Sequence, residues 1–487
     1  MAQQRPNILF ICTDQQRYDS LGCYGNEYVQ TPTIDRLAAE GVLFEQCYVQ
    51  NPVCGPSRAS LVTGRYVHNH GLYANGVSLP EHEQVLGKAL NDGGYDCGLV
   101  GKMHLAACYR GRTEARRDDG FSFYQWAHDP SHGSPENQYH RWLKTHHPDL
   151  YAAASSQGLG RAGHDPVGFD TMPTEAHYSH WVGDQSVEFL ENARDPEKPF
   201  FLWVNFYDPH HPFVAPKEYL DRYDPSQLPP PNLRPGELTD KPDVQTDASH
   251  HSYAGLARGF TEYSAQEVQE AIAAYYAMIT LIDDETARIL HTLEKLGLSE
   301  NTLVIFTSDH GEMLGDHHLM LKGPMMYEGA VRVPLILRWP GHLPEGERRS
   351  DLVQWIDLNP TLTEAAGVPE LPRNQGQSLL PLARADEDAQ PRGWAICEYR
   401  NSGHPYDPPA HVTMLRRGPH KLVVYHGDPA SSRPRQGELY DLEADPRELH
   451  NLWADPDHQE TRIELQEFFL DVLVATEDRS QPREAYW

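Results

Sequence analysis

The sequence predicts an α/β fold: a large central sheet, mixed but mostly parallel and flanked by helices, with a smaller C-terminal domain of antiparallel sheet plus helix. Two observations carry this. Through residues 1–375, apolar runs bounded by turn residues alternate with helical patterns, as in strand–helix–strand units whose strands are covered on both faces. From residue 376 the texture changes to short antiparallel-type runs and one amphipathic helix, so 1–375 is expected to form the main α/β domain and 376–487 a smaller α+β domain.

In chain order, strands are predicted at NILFICT (7–13), CGLVG (97–101), FFLWVNF (200–206), TLVIFTS (302–308) and VPLILRW (333–339). Each is a short, nearly continuous apolar run, the pattern of a strand buried on both faces. Helices are predicted at TPTIDRLAAEG (31–41), where Pro32 suits a first turn whose N–H groups lack partners, and behind Cys54, beginning near Ser57. Two more fit residues 175–194 and 265–297, with Gly297 as a natural stop. Residues 128–174 and 215–262, rich in Pro, Gly, Ser, His and Asp, exceed ordinary connections and are expected either to shape a pocket or to decorate the surface. The late segments GWAICEYR, HVTMLRRG and HKLVVYHG read as antiparallel strands, and ETRIELQEFFLDVL as the closing helix.

At 487 residues the chain can bury a sizeable core. Its 41 Lys and Arg against 70 Asp and Glu give a net charge of −29, which repels phosphate backbones and anionic lipids. Neither nucleic acid nor membrane is expected as a partner, and an anionic substrate would need a locally positive pocket. No stretch reaches the roughly 18 consecutive apolar residues of a membrane span. The opening MAQQRPNILFICTDQQ lacks a signal-peptide cleavage pattern, so a cytoplasmic location is expected. Seven cysteines, odd in number and without CxxC pairs, read as buried thiols rather than a disulfide framework.

In open α/β sheets ligands gather beyond the carboxyl ends of strands. Polar clusters follow four of the predicted strands: Asp14-Gln15, Lys102-Met103-His104, Asp208-Pro209-His210-His211 and Asp309-His310-Gly311-Glu312. Any one Asp could simply cap the next turn; four clusters at four strand ends point to a mixed oxygen and nitrogen site for a divalent cation. Lys102 and His104, two apart, face the same side of an extended chain. GKMH is not a phosphate loop, because Met103 replaces the required Ser or Thr and Asp96 stands where the first Gly belongs. Lys322 is either a further cation for an anion pocket or a solvated surface lysine. The histidine pairs at 146/147, 210/211, 250/251 and 317/318 accompany no HExxH and no structural-zinc spacing, and most are expected at the surface or behind a site.

CGPSR (54–58) with TGRY (63–66) resembles the signature of the formylglycine-dependent sulfatases of the alkaline phosphatase superfamily. Further elements stand in that family's order: Asp14 after the first strand, GKMH, the His of DPHHPF, SDHGEMLGDH, YEGAVRVPLI and ELYDLEADPRELHNL, so the resemblance spans about residues 6–455. It implies an alkaline phosphatase-like fold with residues 1–375 as the catalytic part. It also implies that a formylglycine-generating maturation enzyme oxidises Cys54, whose aldehyde hydrate then supplies the nucleophile. One divalent metal ion would be held by Asp14, residue 54, Asp309 and His310. Arg58 would hold the hydrate, Lys102 and Lys322 would neutralise the transferring group, His210 would protonate the leaving oxygen, and His104 would take the proton whose loss expels sulfate.

Many sulfatases carry two consecutive Asp where this chain has Asp14-Gln15, and Asp-Asn where it has Asp309-His310. Both differences resemble the branch of choline sulfatases and phosphonate monoester hydrolases, as does Asn75, which there helps bind the transferred group. An imidazole in place of a carboxylate makes Mn2+ as well as Ca2+ a candidate occupant, and Gln15 could still offer its amide oxygen. The implied activity is hydrolysis of small organic or aryl sulfates, an anionic sulfate-ester substrate, by a homo-oligomer. Two rivals stand beside it: a phosphonate monoester or phosphodiester hydrolase using the same residues, and a non-catalytic anion- or metal-binding protein in which Cys54 stays a thiol.

Overall fold

The computed structural model describes residues 5–109, 111–157, 167–170, 172–402, 405–427 and 434–478. Strand Asn7–Thr13 lies inside a nine-stranded sheet and pairs in parallel with Phe200–Asn205 on one side and Thr302–Ser308 on the other. Asp96–Gly101 and Phe123–Trp126 continue the parallel half. Beyond Thr302–Ser308 the sheet becomes mixed: Leu335–Arg338 is antiparallel to it and to Val42–Tyr48, which also pairs with Arg332–Val333 and, in parallel, with Glu347–Gln354. Ile8, Phe10 and Cys12 enter one hydrophobic cluster and Leu9 and Ile11 another, because successive side chains point to opposite faces. Both faces are therefore dry, which is why this strand reads as an unbroken apolar run.

The predicted strand at 333–339 is two pieces, Arg332–Val333 and Leu335–Arg338, and runs against the parallel half. Two strands escape the apolar-run criterion. Val42–Tyr48 is interrupted by Glu45 and Gln46, and Glu347–Gln354 is mostly polar, with its register shifted between Arg349 and Leu352. The two long segments carry elements of their own, including helices Gln138–His146 and Asp243–His250 and the strand pair Val167–Asp170 with Phe213–Pro216. Residues 158–166 and 171 of the first segment lie outside the described residues.

The 31-residue helix Ala265–Lys295 packs on the sheet. Ser264 and Glu267 close a reciprocal cap at its start, with Ser264 Oγ accepting from the Glu267 amide at 3.2 Å and Glu267 Oε2 from the Ser264 amide at 2.7 Å. Gly297 follows its end at φ +68°, the left-handed turn that glycine takes without strain. No helix among the described residues is long and apolar enough to cross a membrane.

A second sheet of four antiparallel strands, Trp394–Arg400, His411–Arg417, His420–Tyr425 and Gln436–Asp441, is closed by helix Gln459–Ala475. Its Tyr399, Val412 and Met414 join the hydrophobic cluster of the large sheet. The Asn51 side chain donates to the Glu398 carbonyl and ties this sheet to the segment just before Cys54.

Gly101 ends the strand that delivers Lys102. It has φ +94°, and a Cβ there would stand 2.0 Å from the Asn205 carbonyl oxygen on the neighbouring strand. Gly101→Ala is expected to cost at least about 2 kcal/mol in urea unfolding. A variant as stable as the parent would show that the two strand ends are not so tightly apposed.

Candidate active site

All four strand-end clusters converge. Each strand delivers its polar residues just past its carboxyl end, where Asp14 N still donates to the Asp208 carbonyl (3.3 Å) and Asp309 N to that of Thr13 (3.2 Å). Cys54 arrives from the other direction, as the first residue of helix Cys54–Thr63, every residue of which is buried. The helix begins at Cys54 rather than near Ser57. Val53 is extended (φ −133°, ψ 141°), its amide is held by Asn51 Oδ1 at 2.9 Å, and Pro56 falls within the first turn, where a missing N–H costs nothing. The positive end of the helix therefore faces the strand ends.

Asp14, Cys54, Asp309 and His310 each place one ligand-type atom within 4.8 Å of the others. Cys54 Sγ lies 3.5 Å from Asp14 Oδ1 and 3.1 Å from His310 Nε2; that nitrogen is 3.4 Å from Asp14 Oδ1 and 3.6 Å from Asp309 Oδ1. His310 Nδ1 is 2.9 Å from the Gly311 carbonyl, which fixes the proton on Nδ1 and turns the Nε2 lone pair inward. Burial and Lys322 push this imidazole down while Asp309 and Cys54 push it up, and the anions win. A cation among these groups would replace the second proton, the one on Nε2, and leave that on Nδ1. Two carboxylates and one inward imidazole fit a hard or borderline divalent ion.

Three cations face the same point. Lys102 Nζ is 2.5 Å from Asp14 Oδ2 and 3.5 Å from Cys54 Sγ, and Lys322 Nζ is 3.1 Å from Cys54 Sγ. Arg58, fully buried, donates from Nε to Asp309 Oδ2 (2.7 Å) and from one terminal nitrogen to the Lys102 carbonyl and Asn205 Oδ1, both at 2.8 Å. Burial alone would raise the Cys54 thiol, but Lys102, Lys322 and His310 hold it well below its usual range. In a chain of net charge −29, three buried cations are thus gathered at one point beside the carboxylates of Asp14 and Asp309. Arg58→Met would strip Asp309 of its buried counter-charge, and a loss of about 3–5 kcal/mol in urea unfolding of the metal-free protein is expected. A loss below about 1 kcal/mol would mean that other groups already neutralise this carboxylate.

His210 and His104 flank the opening. His210 Nδ1 is 2.6 Å from the His211 carbonyl, and burial, helped by Lys322, pushes its imidazole down to about 4. Asn75 Oδ1 accepts from the Gly55 amide at 3.0 Å, so this side chain also braces the start of the Cys54 helix. Gln15 does not offer its oxygen to the carboxylate cluster. Its Oε1 accepts from Lys322 Nζ at 2.6 Å, while its Nε2 meets Glu312 and His211 Nδ1, so it positions the lysine.

Several residues of the site were not legible. Asn205 holds Arg58, and Glu114 accepts from the amides of His104 (3.0 Å) and Ala106 (3.1 Å) and from Trp126 Nε1 (2.9 Å), holding the turn in which His104 has φ +64°. Glu114 sits in RGRTEARRDD with nothing to mark it among its charged neighbours. The cavity above Cys54, about 840 Å³, is walled partly by His128, Asp129 and Tyr253 of the two long segments and by Tyr399, Ser402 and Tyr406 of the small sheet.

A cation-type cluster and a cavity at the carboxyl edge of a mixed sheet fit the resemblance to the alkaline phosphatase superfamily. Comparison with known proteins narrows this. The sulfatase family model matches residues 6–368, and a model described as N-sulphoglucosamine sulphohydrolase, C-terminal, matches residues 315–474. The chain belongs to the sulfatase family. It is 31% identical over 492 residues to an arylsulfatase of Clostridium perfringens, covering 97% of this chain and 95% of that one. It is also 31% identical over 496 residues to the multifunctional alkaline phosphatase superfamily protein PehA of Trinickia caryophylli, covering 93% and 92%. The crystal structure of the phosphonate monoester hydrolase of Agrobacterium radiobacter superposes with a TM-score of 0.81 at 27% identity, covering 98% of this chain and 97% of that one.

Proposed function

We propose that the protein hydrolyses sulfate esters of small alcohols or phenols, with Cys54 converted to formylglycine and a single divalent ion, Mn2+ or Ca2+, held by Asp14, residue 54, Asp309 and His310. The observation that carries this is the position of Cys54: first residue of a buried helix, within 3.5 Å of Asp14, Lys102, His310 and Lys322. When bound, the ion supplies charge neutralisation on the ester oxygens and lowers the pKa of the attacking hydroxyl. Formylglycine, once hydrated, would supply two hydroxyls on one carbon, one to attack the ester and the other to give up the proton whose loss lets sulfate depart with C–O cleavage. Lys102 and Lys322 bind the anionic ester and stabilise the charge that builds on it, and Arg58 fixes Asp309 and the nucleophile. His210 protonates the leaving oxygen and Asn75 orients the group in transfer. His104 removes the proton that releases sulfate.

Cys54 is 2% exposed and Arg58 fully buried, so a formylglycine-generating enzyme would have to read CGPSR before the chain folds. The seven cysteines are all free, in keeping with a cytoplasmic location. Self-association into a homo-oligomer is tested by light scattering.

The second reading, phosphonate monoester or phosphodiester hydrolysis, is favoured by His310 beside Asp309 and by the likeness to the Agrobacterium enzyme. Turnover of an aryl sulfate and of the matching aryl phosphonate monoester by metal-loaded protein separates the two. Faster sulfate hydrolysis is expected, and markedly faster phosphonate hydrolysis would overturn the first reading. Mass analysis of the peptide bearing residue 54 tests the third: only unmodified cysteine in protein from its native host would favour a non-catalytic role.

A further inference from the structure

Beside the Asp14 cluster, on the cavity wall, His104, Cys108 and His128 each place one ligand-type atom within 4.8 Å of the others. Cys108 Sγ is 3.2 Å from His128 Nδ1, and the His104 and His128 rings meet edge to face at 4.6 Å. Ligand atoms around a tetrahedral zinc ion stand about 3.5 Å apart, so the trio closes on an ion with a small adjustment. His104 is 7% exposed, yet its Nδ1 has no hydrogen-bond partner among the described residues, a buried polar atom still owed one. The frame is built: Glu114 holds the His104 amide, and His132 spans from the Cys108 carbonyl (2.5 Å to Nε2) to the Ser134 amide (3.3 Å to Nδ1).

We propose that His104, Cys108 and His128 form a second metal site, which takes a zinc-class cation and, by binding His104, switches hydrolysis off. Two imidazoles and one sulfur prefer Zn2+ to Mn2+ or Ca2+, whereas the carboxylates of the Asp14 cluster reverse that preference, so the two sites sort cations by softness. Binding displaces the thiol proton of Cys108 to solvent and forms a metal–sulfur bond, with no change of oxidation state. The cavity gives an entry path and leaves the fourth position to water. The inhibitory half of the proposal rests on the role given to His104 above; the binding half does not.

Cobalt reports thiolate ligation by its sulfur-to-metal absorption. In Cys54→Ala protein, whose Asp14 cluster holds no thiol, added Co2+ should give that band, and the band should vanish in the Cys54→Ala/Cys108→Ala and Cys54→Ala/His128→Gln variants. No band, or a band that survives loss of Cys108, overturns the site; folding of each variant is checked by its melting transition. In enzyme whose residue 54 has matured to formylglycine, one equivalent of Zn2+ beyond the Mn2+ should cut turnover at least tenfold, and the same enzyme with Cys108→Ala should lose that sensitivity. Tight Co2+ binding without zinc inhibition would overturn the switch. A sulfur band in the Cys54→Ala protein, together with no ester hydrolysis by enzyme carrying formylglycine at residue 54, would leave the metal site standing and sink the functional reading.

Discussion

Replacing Cys54 with alanine is expected to lower kcat/KM for an aryl sulfate by at least about 10³-fold, some 4 kcal/mol of transition-state stabilisation, with the fold intact. The loss is large because the proposed mechanism makes the side chain at position 54 both the nucleophile and a member of the cation-binding set, so one substitution removes the attacking atom and a ligand together. The fold should survive: the contacts of Cys54 Sγ go to side chains of the site, Asp14, Lys102, His310 and Lys322, and alanine is well tolerated at the first position of a helix. Cys54→Ser separates chemistry from binding. Its Oγ can attack sulfur and expel the alcohol, but the resulting serine sulfate has no second hydroxyl on the same carbon and must wait for water to attack a shielded anionic sulfur. Serine at 54 should therefore release about one equivalent of phenol per subunit and then stop, with the sulfate found on that residue by mass analysis. Steady turnover by either variant would refute the assignment of the nucleophile.

The parallel half of the sheet and the ligand cluster were legible in the sequence for one physical reason. A strand buried on both faces has to be apolar throughout, so Asn7–Thr13 and Thr302–Ser308 stand out, and the first polar residues after them, Asp14 and Asp309-His310, are marked by contrast. Where a strand is half-exposed the contrast disappears, as in Glu347–Gln354, and the reading fails. The supporting residues are invisible for a related reason. Asn205, Glu114 and Gln15 act through hydrogen bonds to partners 147, 10 and 307 positions away, and no local pattern records such a pairing. The His104, Cys108 and His128 trio is hidden likewise, because two loops bring it together rather than a motif spacing.

His210→Ala should divide substrates by their leaving groups. A nitrophenolate departs without a proton and should lose little, whereas an alkyl sulfate, whose alkoxide is a poor leaving group, should lose about 10²–10⁴-fold in kcat/KM. The pH profile gives an independent check. Burial, then Lys322, depress this imidazole to about 4 in the free protein, so its protonated form becomes scarce as pH rises above that value. Bound anionic ester adds negative charge beside His210 and stabilises the imidazolium, which raises its pKa in the complex. For an alkyl sulfate, kcat should accordingly fall with rising pH along a limb that lies at higher pH than the matching limb of kcat/KM, and His210→Ala should erase both. Equal losses for nitrophenyl and alkyl sulfates, with both limbs retained, would assign protonation of the leaving oxygen to another group. Lys322 would then be the one to test, since its Nζ already stands 3.1 Å from Cys54 Sγ.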